Sequence, residues 1–481
     1  MTTIKSVAFF LLIPALLSDA GSLSREQVVR PLADAAIVIY PDQPTGQVSP
    51  LVMGFNVPYC YATDQSWQPG GPIPALLKEL NTRILRYPAG TVTTFYHWQH
   101  LTGQGWKDSW SPTFNTAKNS PPSAYMDLDE YLDVCRRLKT EPLIGINMGS
   151  GMKYNRLADG IREARALMLH CREKGVKVTY YYLGNEPYQK DANFTFTAAQ
   201  YAAAINRYVP AMKKINNDIR IIVNTHPRDL TYTRTLINRA GKNIDFIDIH
   251  YYWKWGHATF ANWKSETVMR QGRGLPYKAQ RPFYRKLADS LGYPRIDLVS
   301  LEWNLGRIGK GNPAPSQAQV ALMAAEEFTQ FIQSGMRIAT FWPVSWPKPS
   351  RFDNRILLDA QQGYRPNKVY DMFKLFKNTL GQNKVKSESS DQAIQVLSVK
   401  STRADTLWVY VINKTPKVPV SNVTIHIGDP AYKPFRAVGF SAADDRPGPL
   451  KIDSLVVENK RPGNFRYRMP AYSLAKITFV R

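Results

Sequence analysis

The chain is punctuated by short, almost continuously apolar or β-branched runs at residues 51–56, 83–87, 142–147, 178–183, 219–224, 244–250, 296–301 and 336–342. Such runs fit parallel strands covered on both faces, which have no polar side to alternate with. Between many of them lie stretches with helical spacing, at 128–138, 156–174, 198–215 and 316–334. Strands alternating with helices imply βαβ units. Eight strands over roughly 330 residues predict a (β/α)8 TIM barrel with long loops, an α/β fold. An open doubly wound sheet is the alternative, but it usually carries a Gly-rich phosphate loop after its first strand. That place is held here by Gly54-Phe55-Asn56-Val57-Pro58.

Beyond about residue 384 the texture changes. Runs at 393–401, 406–413, 421–427 and 473–480 are strand-like, are separated by turn residues, and include no long amphipathic helix. They predict an accessory antiparallel β-sandwich over residues 381–481. A further strand-like segment within residues 30–48 precedes the barrel, which is assigned to 49–380, and is expected to pair into the same sandwich.

At the N-terminus, Lys5 precedes an apolar run from Val7 to Leu17, followed by Ser18-Asp19-Ala20. Residues 1–20 thus read as a secretory signal peptide, with an apolar run too short to span a bilayer. A secreted or periplasmic protein with no membrane span after signal removal is expected. The chain of 481 residues has 62 Lys and Arg against 38 Asp and Glu, a net charge of +24. That excess favours acidic partners, while export argues against nucleic acid. Three cysteines allow at most one disulfide and make a Cys/His metal site improbable on composition alone.

In a barrel, chemistry sits at the carboxyl ends of the strands. The fourth run ends in Leu183-Gly184-Asn185-Glu186-Pro187 and the seventh in Leu301-Glu302-Trp303-Asn304. Strands four and seven lie across the mouth of a closed eight-stranded barrel, so their two carboxylates are expected to face each other. Glycoside hydrolysis needs such a pair, one carboxyl protonated to serve the leaving oxygen and one ionised to attack the anomeric carbon. Burial and like-charge proximity are expected to drive the two pKa values apart. No metal or organic cofactor is required.

Asn185-Glu186-Pro187 and Glu302 resemble the corresponding motifs of clan A retaining glycoside hydrolases. The resemblance implies that Glu186 is the acid/base and Glu302 the nucleophile, with Asn185 binding the hydroxyl beside the anomeric carbon. Within the clan, the segment from Pro41 to Gly54, Arg86-Tyr87-Pro88-Ala89-Gly90, Tyr96-His97-Trp98, Asn147-Met148-Gly149-Ser150-Gly151 and Glu302-Trp303-Asn304 are similar to family 51 α-L-arabinofuranosidases. That family usually has two glycines where this chain has Ala89-Gly90. His250 and Tyr252 stand where the family places a His and a Tyr beside the nucleophile.

Further candidates come from chemistry. Arg86 ends strand two and could orient a carboxylate or hold a substrate hydroxyl. His250 and Tyr252, two apart, point to one side of a strand. Trp342 and Trp346 at strand eight, with the tryptophans after strand six, suit the apolar faces of sugar rings. Among the cations that follow strand ends, Lys254 and Arg307 are expected nearest the site, where they would favour an anionic carbohydrate substrate. The sequence reads best as a glycosidase of the arabinofuranosidase-like kind. One alternative is a heparanase-like enzyme on uronate-containing or sulfated glycans, and another is a noncatalytic carbohydrate-binding barrel. The oligomeric state stays open.

Overall fold

The structure, a computed structural model, describes residues 35–99, 124–190, 195–271, 274–346, 353–416, 420–443, 453–454 and 457–481. The expected signal segment 1–20, and residues 30–34 of the N-terminal segment, lie outside them.

Eight parallel strands close into a barrel: Gly54–Asn56, Ile84–Tyr87, Glu141–Ile146, Tyr180–Leu183, Arg220–Asn224, Phe246–Asp248, Asp297–Leu305 and Ala339–Phe341. The eighth closes the ring by pairing with both the first and the seventh. The helices between them begin and end where local chemistry says they should. Asp127 and Glu130 form a reciprocal capping box on Leu128–Leu138, and Ser316 and Gln319 another on Gln317–Ser334. The latter helix ends at Gly335, which takes the left-handed conformation at φ 73°.

Side chains alternate along the strands. Leu85, Tyr87, Ile144, Tyr181, Leu183, Ile221 and Ile247 belong to the core beneath the helices. Ile84, Leu143, Tyr182, Ile222, Phe246, Val299, Leu301 and Ile338 form a separate cluster inside the barrel. Two residues above members of that inner cluster come Arg86, Asn224, Asp248 and Thr340, all buried. A polar layer therefore rests on an apolar one.

The seventh strand carries an irregularity that the expected run 296–301 did not anticipate. It is buried over its whole length from Asp297 to Leu305. Its lower half pairs with Phe246–Asp248 through Val299↔Asp248, and its upper half with Tyr251–Trp253 through Trp303↔Tyr251. Three residues of strand seven thus face two of strand six, and the same slip occurs against strand eight, between Ser300 and Trp303. This is a β-bulge, which re-aims side chains locally. Strand six is correspondingly broken at Ile249 and His250, where a continuous strand over 244–250 was expected.

The second sheet has ten strands in the order Asp453–Ser454, Lys433–Ser441, Ser473–Val480, Thr406–Asn413, Ile394–Lys400, Asn383–Ser389, Ala35–Gln47, Val420–Ile427, Asn464–Pro470, Val457–Arg461. Ala35–Gln47 runs antiparallel to Asn383–Ser389 and parallel to Val420–Ile427, so the sheet is mostly rather than wholly antiparallel. It folds over on itself: Phe465 and Phe479, from strands far apart in that order, meet at 5.1 Å. Leu407, Val409 and Val411 fill the enclosed core. Their alternates Tyr410 and Ile412 join the core of the barrel's helices, where Tyr410 stacks on Phe376 at 4.4 Å.

A buried carboxylate ties the sheet to the barrel. Glu326 accepts hydrogen bonds from Trp263 Nε1 (2.6 Å), the Met269 amide (2.6 Å), Gln395 Nε2 (2.8 Å) and Lys414 Nζ (2.8 Å), and both ends of the Glu326–Lys414 pair are almost fully buried. Glu326→Ala leaves the Lys414 ammonium buried and unpaired, and is expected to cost roughly 3–5 kcal/mol. Equilibrium urea unfolding measures it, and a loss below about 1 kcal/mol would show that the pair does not join the two parts.

Candidate active site

The polar layer at the carboxyl end of the barrel opens into a cavity of about 450 Å³. Its lining includes Asn185, Glu186, His250, Tyr252, Glu302 and Trp342, which brings six of the nine expected site residues to one place. Arg86 lies immediately behind them, fully buried.

The bulge explains how Glu302 gets there. Leu301 points into the barrel and Trp303 into the helix core, so regular alternation could not send the intervening residue to the cavity. The extra residue resolves this, and its backbone is satisfied by side chains. The Leu301 amide donates to Asp248 Oδ1 at 2.7 Å, while its carbonyl accepts from Asn56 Nδ2 at 3.0 Å, Arg86 Nη1 at 3.2 Å and the Thr340 hydroxyl. Buried peptide groups need such partners.

Glu302 is held at both oxygens. Oε1 accepts from Arg86 Nη1 at 2.7 Å and Oε2 from the Tyr252 hydroxyl at 2.8 Å. Arg86 Nη2 donates to Asn185 Oδ1 at 2.7 Å, and the guanidinium lies 4.3 Å from the Tyr182 ring centroid. Burial opposes the charge on Arg86, yet Tyr182 and Glu302 outweigh it and raise its pKa further.

Glu186 follows a turn in which Gly184 has φ 70° and Glu186 itself φ 43°, a left-handed conformation that is strained for a residue with a side chain. Its amide donates to Asn224 Oδ1 at 2.9 Å, and Asn224 Nδ2 in turn donates to Asp248 Oδ2 at 2.8 Å. Tyr188 donates to Glu186 Oε1 at 3.2 Å.

His250 stands between the carboxylates. Its Nδ1 lies 3.1 Å from Glu186 Oε1 and 3.4 Å from Glu302 Oε2. Those two oxygens can be no further apart than the two distances combined. That bound reaches only the short end of the roughly 6.5–9.5 Å required by an inverting pair. Nε2 sits 3.1 Å from Asp248 Oδ2, but out of line for a hydrogen bond, so the contact is an ion pair. Burial draws the imidazole pKa down, and the Glu302 and Asp248 charges more than reverse it, to about 10.

This corrects one expectation. Burial does push the Glu186 carboxyl up, but the hydrogen bond and charge of His250 pull harder, so it sits below its ordinary value instead of above it.

Lys254 and Arg307 are not among the lining residues. Lys254, in a left-handed conformation at φ 48°, turns to Glu266, 2.7 Å away. Arg307 is exposed, and its guanidinium lies 5.7 Å from the Trp255 ring centroid. Among the described residues, Arg228, beside His226, is the arginine or lysine that lines the cavity. Trp342 borders the cavity over Gly90, where a Cβ would come within 2.4 Å of its ring, and Trp346 and half-exposed Trp255 extend the aromatic wall. Asn56, Asn224 and Asp248 were missed from sequence, although each ends a barrel strand with a polar residue, the signal that found Arg86.

No family model matches the chain. It is 29% identical over 211 residues to alpha-L-arabinofuranosidase C of Emericella nidulans, a match covering 39% of this chain and 41% of that protein. It is 26% identical over 203 residues to an intracellular exo-alpha-(1->5)-L-arabinofuranosidase of Bifidobacterium longum, covering 39% and 35%. The chain thus spans about two fifths of the length of these curated relatives. The structure of the GH51 alpha-L-arabinofuranosidase from Thermotoga petrophila superposes with a TM-score of 0.70 at 18% identity, over 92% of this chain and 99% of that one. In fold and in the matched stretch the chain is similar to glycoside hydrolases, and among them to α-L-arabinofuranosidases of family 51.

Replacing Arg86 tests the charge balance. Arg86→Met leaves Glu302 without its 2.7 Å partner and is expected to cost on the order of 3 kcal/mol or more in urea unfolding. Adding Glu302→Gln should restore at least half of that loss, because it removes the stranded charge. Equal stability of Arg86→Met and the wild type would contradict the assignment.

Proposed function

We propose that the protein is a retaining glycoside hydrolase with an α-L-arabinofuranosidase-like preference. The observation that carries this reading is the pair of carboxylates, Glu186 and Glu302, brought to one cavity on either side of a single imidazole nitrogen. Glu302, aimed by Arg86 and Tyr252, attacks the anomeric carbon. Glu186 passes a proton to the departing oxygen and then removes one from the water that cleaves the glycosyl ester. Arg86 holds the Asn185 oxygen, which leaves the amide NH2 to donate to the hydroxyl beside the anomeric carbon. The tryptophans supply apolar faces for sugar rings.

A neutral sugar is favoured over the sulfated or uronate-bearing chains of the heparanase-like reading. Of the cations expected beside the carboxylates, Lys254 is paired with Glu266 and Arg307 lies against Trp255. Export, to the medium or the periplasm, is proposed on the strength of residues 1–20; N-terminal sequencing of the mature protein should find them removed.

The experiment is a screen of aryl-glycosides, neutral and uronic, with the two glutamates varied. Glu302→Gln should abolish turnover on every substrate. Glu186→Gln should lose about 10²–10⁴-fold where the leaving group needs protonation, and far less where it does not. Azide should rescue the Glu186 variant and give a glycosyl azide of retained configuration. Equal losses on activated and unactivated substrates would remove Glu186 from its role. Sugar binding without turnover in the wild type would leave the noncatalytic barrel.

A further inference from the structure

Three features converge on His250. It is 3% exposed, one nitrogen is shared between the two carboxylates, and the other faces Asp248. Asp248 is itself fixed, by Asn224 Nδ2 on one oxygen and the Leu301 amide on the other. The groups facing the imidazole are thus Glu186 from the fourth strand's end, Glu302 from the seventh, and Asp248 from its own strand. Beyond them, Tyr188 and Tyr252 donate to the glutamates and Arg86 to Glu302. Three carboxylates surround one imidazole, with a single guanidinium behind.

Resting on the glycosidase reading above, we propose that His250 is a catalytic residue in its own right: as imidazolium it stores the proton that Glu186 delivers to the leaving group, and esterification of Glu302 releases it. The steps balance. A Glu302 oxygen bonds to the anomeric carbon as the carbon–oxygen bond to the leaving group breaks. The leaving oxygen takes a proton from Glu186, which takes the Nδ1 proton of His250. The glycosyl ester now stands beside a neutral imidazole and an ionised Glu186. Water then attacks the anomeric carbon and the ester bond breaks. The water's proton passes through Glu186 to Nδ1, and Glu302 leaves as a carboxylate.

The trigger is electrostatic. The Glu302 charge is the largest influence favouring the imidazolium. Forming the ester removes that charge, so the proton loses its strongest support at the moment the leaving oxygen needs it. An ionised resting Glu186, which would be a poor acid alone, is then no obstacle.

The test uses the full chain and two measurements. First, ¹⁵N NMR of the imidazole should show His250 protonated through pH 8 in the wild type. In Glu302→Gln, which mimics the loss of charge in the ester, its titration should fall by two pH units or more. Second, kcat/KM on an unactivated glycoside should keep its alkaline limb above pH 8 in the wild type. In His250→Gln the limb should fall by at least two units, because Glu186 must then carry its own proton. Should His250→Gln fold poorly, the NMR titration in Glu302→Gln still decides. A neutral His250 at pH 7 in the wild type, a titration unmoved by Glu302→Gln, or an unmoved alkaline limb overturns the proposal while leaving the glycosidase reading intact. A charged His250 in a protein that turns over no glycoside overturns both.

Discussion

One surplus residue in the seventh barrel strand organises the site. A strand that alternates strictly cannot bury Leu301 inside the barrel, Trp303 outside it, and still offer the residue between them to the cavity. The bulge between Ser300 and Trp303 allows it, at the cost of a peptide that the neighbouring ladders no longer satisfy. Asp248, Asn56, Arg86 and Thr340 take over those hydrogen bonds. The same groups then have second duties: Arg86 neutralises Glu302 and orients Asn185, and Asp248 faces His250. Backbone repair and site assembly use one set of side chains.

The charge arrangement follows from this sharing. Glu186, Glu302 and Asp248 meet His250 and Arg86 in a region closed to water on all sides but the cavity. At such a low effective dielectric no member can change protonation without being felt by the others. Burial alone would lift the Glu186 carboxyl, and the hydrogen bond and charge of His250 decide the outcome instead. Five residues from four strand ends are thereby tied into one charged network.

Much of this was legible in the chain. Runs with no polar alternation marked the parallel strands, and a carboxylate within three residues of the end of such a run marked Glu186 and Glu302. The limits have physical causes. A bulge adds a residue without changing composition, so the strand-seven slip left no trace in the pattern. Lys254 and Arg307 lie close to the site along the chain, but position along a loop does not fix direction. A left-handed residue turns Lys254 to Glu266, and Arg307 packs against Trp255. In the second sheet, the strand Lys433–Ser441 was hidden because Pro434, Arg436 and an exposed Phe435 interrupt its alternation.

The carboxylate of Glu326 has a consequence for how the chain is made. Its donors are spread from Trp263 to Lys414, and its one cationic partner is the last of them to leave the ribosome. Until that lysine emerges, the carboxylate on the helix Gln317–Ser334 lacks its cationic partner, and the surface that Gln395 and Lys414 will cover is open to water. Covering an unpaired carboxylate is costly. The charge therefore keeps that surface for the one strand that brings the lysine and discourages other apolar segments from packing there first.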